Sequence, residues 1–280
     1  MLLFYLRGLD FFLKICYNRR KRWYIMTSLE QYNILRYTIN LISNSVYGKY
    51  LIIKGGSALV SKMLELNHFE YLRKTSDIDI HCDKKEVWEH FCSEIESILN
   101  NNQDGYIYRL ISRRADTKGF DTSDSLKFEI KYNNSSFIFK MDMNIKSNAI
   151  IFVEYSALLN MGTYDKYTML SDKIVVVSSK KIYRRIKDLY DICVLASLYD
   201  FELSYVYTIL NKKHPNVSLQ CMLNPANYES IKHAYDKFQG IDNKPVFEYV
   251  YTLASIFLEP IYKGANTNLV WRKDFSSWNQ

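Results

Sequence analysis

Apolar and polar residues recur with two different periods along this chain, and the change of period separates a mixed first half from a mostly helical second half. A capping box of Ser28 and Gln31 begins an apolar-periodic helix that reaches about Val46. Further helices are predicted at 57–66 and 86–99. Short apolar or alternating runs predict strands at 51–53, 75–80, 106–112, 126–132 and 137–145.

Beyond Ser171 the apolar residues return to helical spacing, in the runs 189–198, 205–210, 228–238 and 246–257. The pattern therefore predicts an α+β fold with a mixed sheet flanked by helices, followed by a mostly helical C-terminal domain. The expected divisions are an N-terminal extension at 1–26, the domain that holds the sheet at 27–155, and the helical domain at 156–280.

Positive charge is concentrated in the N-terminal extension. The chain has 37 basic and 30 acidic residues, a net charge of +7, and residues 1–26 contribute six basic residues against one acidic residue, a net of +5. Local basic clusters at 113–114, 180–181, 184–187 and 212–214 could form a groove, although each is typical of a solvated face. A mildly basic body permits an RNA partner but does not require one.

The first fifteen residues are apolar but contain Arg7, Asp10 and Lys14, so they are too short and too charged to span a membrane. The dense positive cluster follows the apolar run, whereas a secretory signal places its charge first. The five cysteines are scattered without a CxxC pair, and the odd number argues against a disulfide framework. We therefore expect a cytoplasmic protein that does not bind membranes.

Two carboxylates two residues apart, Asp77 and Asp79, stand between apolar residues in the run Thr-Ser-Asp-Ile-Asp-Ile at 75–80. Because positions i and i+2 of a strand lie on one face, both carboxylates project to the same side. Two like charges at that distance are unfavourable unless a cation neutralises them. Mg²⁺ prefers a site of a few carboxylates, waters and substrate phosphates, so the pair predicts a metal site.

A glycine-rich turn precedes this pair by about twenty residues. Gly55 and Gly56 separate the predicted strand at 51–53 from the helix at 57–66. Glycine lets the backbone approach a ligand closely, and the free N–H groups at the start of a helix favour an anion. Ser57 could add a hydroxyl to the same phosphate. Either motif alone is weak, but their order and separation strengthen the prediction.

This arrangement resembles the polymerase-beta-like nucleotidyltransferase superfamily, which needs a third carboxylate on a later strand. Asp142 is the best candidate, with Glu129 on the preceding strand as the fallback. In the strand at 137–145 the odd positions form an apolar face, and Asp142 lies opposite with Lys140 and Asn144. The alternative is an ordinary polar residue on a half-exposed strand.

A narrower resemblance is to the AbiEii/AbiGii-type toxin family, whose relatives include the MenT-like tRNA-modifying toxins. The resemblance rests on three segments: the Arg-Lys-Thr-Ser-Asp-Ile-Asp run at 73–79, the pair Asp172-Lys173, and the run Arg-Arg-Ile-Lys-Asp-Leu-Tyr-Asp-Ile at 184–192. The resemblance covers residues 51–195. It implies that Lys173 contacts nucleotide phosphates and that Asp188 is the essential acid of the last motif. Helical spacing alone would equally describe a salt-bridged surface helix.

Together the resemblances imply an enzyme that moves NMP from an NTP to an acceptor hydroxyl. Two Mg²⁺ ions would be held by Asp77, Asp79 and Asp142, the phosphates would lie against Gly55, Gly56 and Ser57, and Lys173 with Arg185 or Lys187 would offset the triphosphate charge. The acceptor would be RNA, in particular a tRNA 3′ end. The protein would act as the toxin of a toxin–antitoxin or phage-defence pair, with a cognate antitoxin as partner.

Two alternatives remain open at the level of sequence. The acceptor could be a small molecule such as an antibiotic, or a protein, because the catalytic half is common to all these enzymes. Alternatively, the chain could bind nucleotide without turnover. The presence of all three candidate carboxylates argues against the second alternative.

Overall fold

A computed structural model describes residues 27–118, 121–132, 135–145, 152–178, 184–214, 224–265 and 267–280. The predicted N-terminal extension at 1–26 and the basic pair at 180–181 lie outside the described residues. Of the helices in these ranges, none combines the length and the apolar character that a membrane span requires.

A seven-stranded mixed sheet organises the first half of the chain. Its strands run in the order β3-β4-β5-β2-β1-β7-β6. Strand β2 is antiparallel to β1 and parallel to β5, and β1 is parallel to β7, which confirms the predicted mixed sheet. The strands are β1 Leu51–Lys54, β2 Asp77–Cys82, β3 Ile107–Lys118, β4 Asp121–Tyr132, β5 Ser135–Ile145, β6 Val153–Ser156 and β7 Met161–Tyr164.

Eight α-helices complete the described part of the chain, and five of them belong to the second half. They are α1 Ser28–Ser43, α2 Gly55–Glu65, α3 Lys85–Asn100, α4 Lys166–Val177, α5 Ile186–Leu198, α6 Leu203–Lys213, α7 Tyr228–Lys237 and α8 Phe247–Lys263. A small three-stranded sheet, in the order β10-β9-β8, consists of β8 Phe201–Glu202, β9 Val270–Arg272 and β10 Ser277–Asn279. The predicted α+β fold with a mostly helical second half is confirmed.

The two faces of the large sheet have opposite character. Ile78 and Ile80 of β2 and Met141 and Met143 of β5 are fully buried, or nearly so, on one face. Helix α3 lies on this face, where Trp88 Nε1 donates to Asp124 at 3.0 Å. Side chains of alternate residues therefore leave the carboxylates of β2 and β5 on the opposite face, as the strand pattern predicts.

The cap of the first helix lies one residue earlier than predicted. Thr27 and Glu30 form the capping box, with Thr27 N donating to Glu30 at 2.8 Å and Glu30 N donating to the Thr27 hydroxyl at 3.2 Å. The predicted cap residue, Ser28, is instead buried and donates its hydroxyl to Asp242 at 2.8 Å. A tertiary contact, which local spacing does not reveal, thus decides between two adjacent hydroxyl residues.

The β6–β7 hairpin was not predicted, and it extends the sheet beside β1. Its first strand is fixed to helix α2, because Glu65 accepts from the Ser156 hydroxyl at 2.6 Å and Lys62 pairs with Glu154 at 2.8 Å. The predicted boundary between residues 155 and 156 falls within this strand. The division into domains stays a prediction.

Candidate active site

Three carboxylates share one face of two neighbouring strands. In the parallel register of β2 and β5, Asp79 lies directly opposite Asp142, and Asp77 lies opposite Lys140. Neighbouring strands are about 4.8 Å apart, so the three predicted metal-ligand positions are grouped on the sheet. We call Asp77, Asp79 and Asp142 the carboxylate face.

The fallback candidate, Glu129, lies away from this group. It is on β4, opposite Ile138, which is four residues before Asp142 on β5. Its carboxylate is 2.9 Å from Arg109 and 3.8 Å from Lys131. Asp142 is therefore the carboxylate beside Asp79, and Glu129 takes part in ion pairs at the surface of the sheet.

Burial makes the negative charge of Asp79 unfavourable. Burial raises its pKa, and the neighbouring Asp77 raises it further, whereas Lys54 and Lys173 act in the opposite direction. Lys54 lies opposite Asp79 in the antiparallel register of β1 and β2. With the Asn144 amide turned so that its oxygen faces Lys54, the Lys54 ammonium donates to it at 2.8 Å. The nearby cations thus leave part of the negative charge uncompensated.

The donor atoms of the carboxylate face suit a hard divalent cation, because Mg²⁺ is bound through a few carboxylate oxygens together with substrate phosphates. Their side chains do not yet converge: in the described ranges, no group of three or more His, Cys, Asp or Glu residues is placed to hold a metal ion. Lys187 Nζ lies 3.7 Å from Asp77 Oδ2. The residue types and their strand positions fit the ion, and ligation would require rotation of the side chains and displacement of Lys187 from Asp77.

The glycine turn between β1 and α2 packs directly against this face. Gly55 has φ of +64°, and a Cβ atom added there would lie 1.9 Å from Asp79 Oδ2. A Cβ atom at Gly56 would lie 2.8 Å from the Thr75 hydroxyl and 3.1 Å from Arg73 NH2. Both glycines are therefore required by close contacts, and they bring the start of α2 beside Asp79.

The Ser57 hydroxyl is not where the sequence interpretation places it. The side chain is fully buried, and Oγ donates to the main-chain carbonyl of Asp77 at 2.8 Å. The hydroxyl therefore connects the glycine turn to β2 and does not face a phosphate. Ser57 could bind an anion through its main-chain N–H group, which lies at the start of α2.

Four charged side chains form a buried charge cluster between the sheet and the second half: Arg73, Lys173, Asp188 and Asp191. Arg73 binds Asp191 through two hydrogen bonds, Nε to Oδ1 at 2.5 Å and NH2 to Oδ2 at 2.7 Å. Lys173 Nζ lies 2.6 Å from Asp188 Oδ1 and 2.7 Å from Asp191 Oδ2. Two positive and two negative charges are thus paired away from water.

The cluster favours the ionised forms of Lys173 and Asp191. Burial acts to lower the pKa of Lys173, but Asp191 and Asp188 outweigh it, and the pKa is raised above its ordinary value. Burial acts to raise the pKa of Asp191, but Arg73 and Lys173 hold it well below the usual range. Lys173 is predicted to contact phosphate, but the structure pairs it with two carboxylates. It lies close enough to Asp79 to oppose the rise in that residue's pKa.

The remaining basic residues of the last motif lie at the start of α5. Arg185 Nε is 3.0 Å from Asp188 Oδ2, although the two atoms are not aligned as a hydrogen bond. Lys187 extends to Asp77, so this helix contacts both the buried charge cluster and the carboxylate face. Arg184, Lys187 and Lys237 line a cleft of about 220 Å³, together with Ile186, Ala234 and Phe238.

Three residues of the site were not among the predicted site residues: Lys54, Arg73 and Asp191. Each had a signal in the sequence, because Lys54 directly precedes the glycines and the other two lie within the motifs at 73–79 and 184–192. Arg73 and Asp191 are 118 residues apart. Their pairing depends on the path of the chain between them and could not be read from local spacing.

The comparisons with known proteins agree with this geometry. Residues 39–238 match the family model described as nucleotidyl transferase AbiEii toxin, type IV toxin–antitoxin system. No curated protein matches the chain.

Among solved structures, JHP933 from Helicobacter pylori matches with a TM-score of 0.53 and 13% identity, covering 85% of this chain and 92% of that chain. A second H. pylori structure, named as a candidate nucleotidyltransferase, gives 0.53 and 12%, covering 86% and 97%. These likenesses show the fold. The family model matches more than two thirds of the length of this chain. The chain therefore belongs to the AbiEii family of nucleotidyltransferase toxins of type IV toxin–antitoxin systems.

Proposed function

We propose that this nucleotidyltransferase transfers NMP from an NTP to the 3′ end of an RNA, in particular a tRNA, in a Mg²⁺-dependent reaction in the cytoplasm. In the cell it would act in phage defence and be restrained by a cognate antitoxin. The observation that carries the proposal is the register that sets Asp79 opposite Asp142, with Asp77 on the same face and the Gly55 turn beside it.

Each residue of the site has a distinct part in the proposal. Asp77, Asp79 and Asp142 would hold two Mg²⁺ ions, which would supply positive charge for the triphosphate and favour the ionised acceptor hydroxyl. The main chain of Gly55, Gly56 and Ser57 would bind the terminal phosphates. Asp142, on the strand of the pair that is farther from the glycine turn, would face the acceptor.

The second half would provide positive charge. Lys187 would leave Asp77 for the phosphates, and Arg185 would do the same from its unaligned contact with Asp188. Lys173 is held by Asp188 and Asp191, so it would add to the electrostatic potential at Asp79 from a fixed position. Asp188 would be essential because it fixes Lys173.

The test is incubation of the protein with Mg²⁺, each labelled NTP in turn and total RNA, with Asp79→Asn and, as a matched control, Asp274→Asn at an exposed aspartate outside the site. Wild type and Asp274→Asn should label a discrete RNA. Asp79→Asn should lose about 100- to 1,000-fold in rate, as expected when transition-state charge stabilisation is removed. Asp79→Asn should also abolish growth inhibition by the protein.

Other outcomes would replace this proposal with the alternatives. Label on a protein or a small molecule instead of RNA would identify another class of acceptor. Tight NTP binding with no pyrophosphate release for any acceptor would indicate a protein that binds nucleotide without turnover. Toxicity that survives Asp79→Asn would exclude the mechanism.

A further inference from the structure

The carboxylate face continues outward into a basic surface on β3, β4 and β5. Lys140 of β5 lies opposite Lys127 of β4, and Arg114 of β3 lies opposite Ser125, which is itself opposite Asp142. Paired residues of neighbouring strands share a face, so these cations are on the same side of the sheet as Asp142. We call Arg114, Lys127 and Lys140 the basic sheet face.

This side of the sheet is open, whereas the other side is core. Lys140 and Arg114 are exposed and Lys127 is half-buried. Residues that alternate with them, such as Leu126, Phe128 and Phe139, are buried.

A bulge in β3 between Leu110 and Ser112 sets which arginine faces outward. Arg113, next in sequence to Arg114, turns inward and binds the buried Asp124 at 2.6 Å. The sequence pair at 113–114 is therefore divided between the two faces.

The three cations of the basic sheet face have no ion-pair partner among the described residues. Nearby Arg109 and Lys131, in contrast, share Glu129 as an ion-pair partner. With about 4.8 Å between strands and about 3.3 Å per residue along them, the three Cα positions lie within roughly 10 Å of Asp142. Three unpaired positive charges at this density favour a polyanion over a neutral ligand.

The order of the strands separates this surface from the nucleotide side. The strands lie side by side in the order β4-β5-β2-β1, and Asp79 is on β2. The glycine turn after β1 is therefore on one side of Asp79, and the basic sheet face is on the other. Phosphates of the NTP at the turn would not occupy Lys127 or Arg114. Phosphates bound at the basic sheet face would therefore belong to a second molecule, which would approach Asp142 from the side opposite the glycine turn.

We propose that the basic sheet face binds the phosphate backbone of the RNA acceptor and guides its 3′ end to Asp142. The inference rests on the proposed function and deepens it, because it names the surface that selects an RNA acceptor. Lys127, Lys140 and Arg114 are positioning residues: they contact the acceptor strand and not the reacting atoms.

The experiment measures binding without turnover. A fluorescent RNA hairpin with a single-stranded 3′ tail is titrated with protein in Ca²⁺ and without NTP, and the dissociation constant is followed by anisotropy across a salt series. The test variant is Arg114→Gln/Lys127→Gln/Lys140→Gln. The matched control, Lys49→Gln/Lys85→Gln/Lys263→Gln, removes the same charge from exposed lysines outside this face. Thermal melting checks that both variants are folded.

The test variant should bind RNA about tenfold more weakly, or weaker still, at 100 mM salt. The slope of the logarithm of the association constant against the logarithm of the salt concentration should fall in magnitude by roughly 2, because each single-strand phosphate contact contributes about 0.7. The control should stay within about twofold of wild type. Equal losses in both variants, or no loss in the test variant, would overturn the inference. Binding of poly-glutamate as tight as that of RNA, and lost in the test variant, would also overturn it. The occupant of the basic sheet face would then be an acidic protein.

The failure of this inference is distinguishable from failure of the proposed function. If wild type labels RNA but the test variant binds it with unchanged affinity, only the basic sheet face is refuted. If RNA binding depends on these residues but no NTP labels RNA, the binding surface stands and the transfer reaction is wrong.

Discussion

The buried charge cluster and the carboxylate face lie side by side but differ in how completely their charges are paired. In the cluster, Arg73 lies 2.5 Å from Asp191, and Lys173 lies 2.6 Å from Asp188 and 2.7 Å from Asp191. On the carboxylate face, Lys187 lies 3.7 Å from Asp77, a longer contact than those in the cluster. Burial raises the pKa of Asp79 even though Lys54 and Lys173 oppose this.

The difference separates structural from functional charge. A buried pair that is fully satisfied contributes little to stability in net terms, but removing one partner leaves an uncompensated charge in the interior. An incompletely neutralised group of carboxylates retains its capacity to bind a cation. We therefore expect substitutions in the cluster to change folding, and substitutions on the carboxylate face to change the reaction.

The largest expected effect follows from breaking the cluster with Arg73→Met. This change leaves the fully buried Asp191 with Lys173 as its remaining cation, which Asp188 also shares. The free energy of unfolding should fall by about 3–5 kcal/mol, as for other buried pairs that lose one partner. Urea denaturation at pH 7 measures it.

Arg109→Met is the matched control, because its guanidinium pairs with Glu129 at 2.9 Å but its side chain is 68% exposed, against 3% for Arg73. That variant should lose less than about 1 kcal/mol. Adding Asp191→Leu to Arg73→Met should recover part of the loss, since a neutral Lys173–Asp188 pair remains. Equal losses for Arg73→Met and Arg109→Met would show that the cluster is not structurally special.

The second prediction tests the glycine turn where it meets the carboxylate face. Gly55→Ala should cost about 1–2 kcal/mol for the left-handed backbone, and should also displace Asp79, whose Oδ2 would lie 1.9 Å from the new Cβ. A displacement of about 1 Å can reduce a reaction rate by about 100-fold. Denaturation and the labelling assay, run on the same preparation, separate the two effects.

Gly264→Ala provides the same strain without the contact. Gly264 also has φ of +64°, and no heavy atom lies within 4 Å of its added Cβ. It should lose similar stability and retain transfer. If both variants transferred NMP at the wild-type rate, close packing of the turn against Asp79 would be unimportant for the reaction.

Local spacing predicted the parts of this molecule that depend on one strand or one helix. Alternation in β5 correctly set Asp142 apart from the buried Met141 and Met143. It could not give the register with β2, which places Asp142 beside Asp79, because pairing depends on the whole sheet. The strands β8 to β10 are two or three residues long and carry no detectable alternation.

Contacts between distant segments explain the remaining differences. Charged residues at helical spacing are typical of a solvated surface, yet Asp188 and Asp191 are buried because cations from α4 and from the segment before β2 reach them. The basic cluster at 212–214 is one of four that could form a groove, although each is typical of a solvated face. In the structure Lys213 lies 2.6 Å from Asp172 and His214 lies 3.4 Å from it. Sequence clusters of charge do not reveal which members already have partners.

The smallest expected effect concerns Ser57, which connects the glycine turn to the carboxylate face. Ser57→Ala removes the 2.8 Å hydrogen bond to the Asp77 carbonyl and should cost about 1 kcal/mol, with less than a tenfold loss of transfer, because the main chain that would bind phosphate is unchanged. Ser61→Ala is the matched control: it is also fully buried in α2, and its hydroxyl donates to the Ala58 carbonyl at 2.7 Å. If Ser57→Ala instead raised KM for NTP by 100-fold at unchanged stability, its hydroxyl would contact phosphate during the reaction. The turn would then rearrange on nucleotide binding, and the carboxylate face would be less fixed than the buried charge cluster in position as well as in charge.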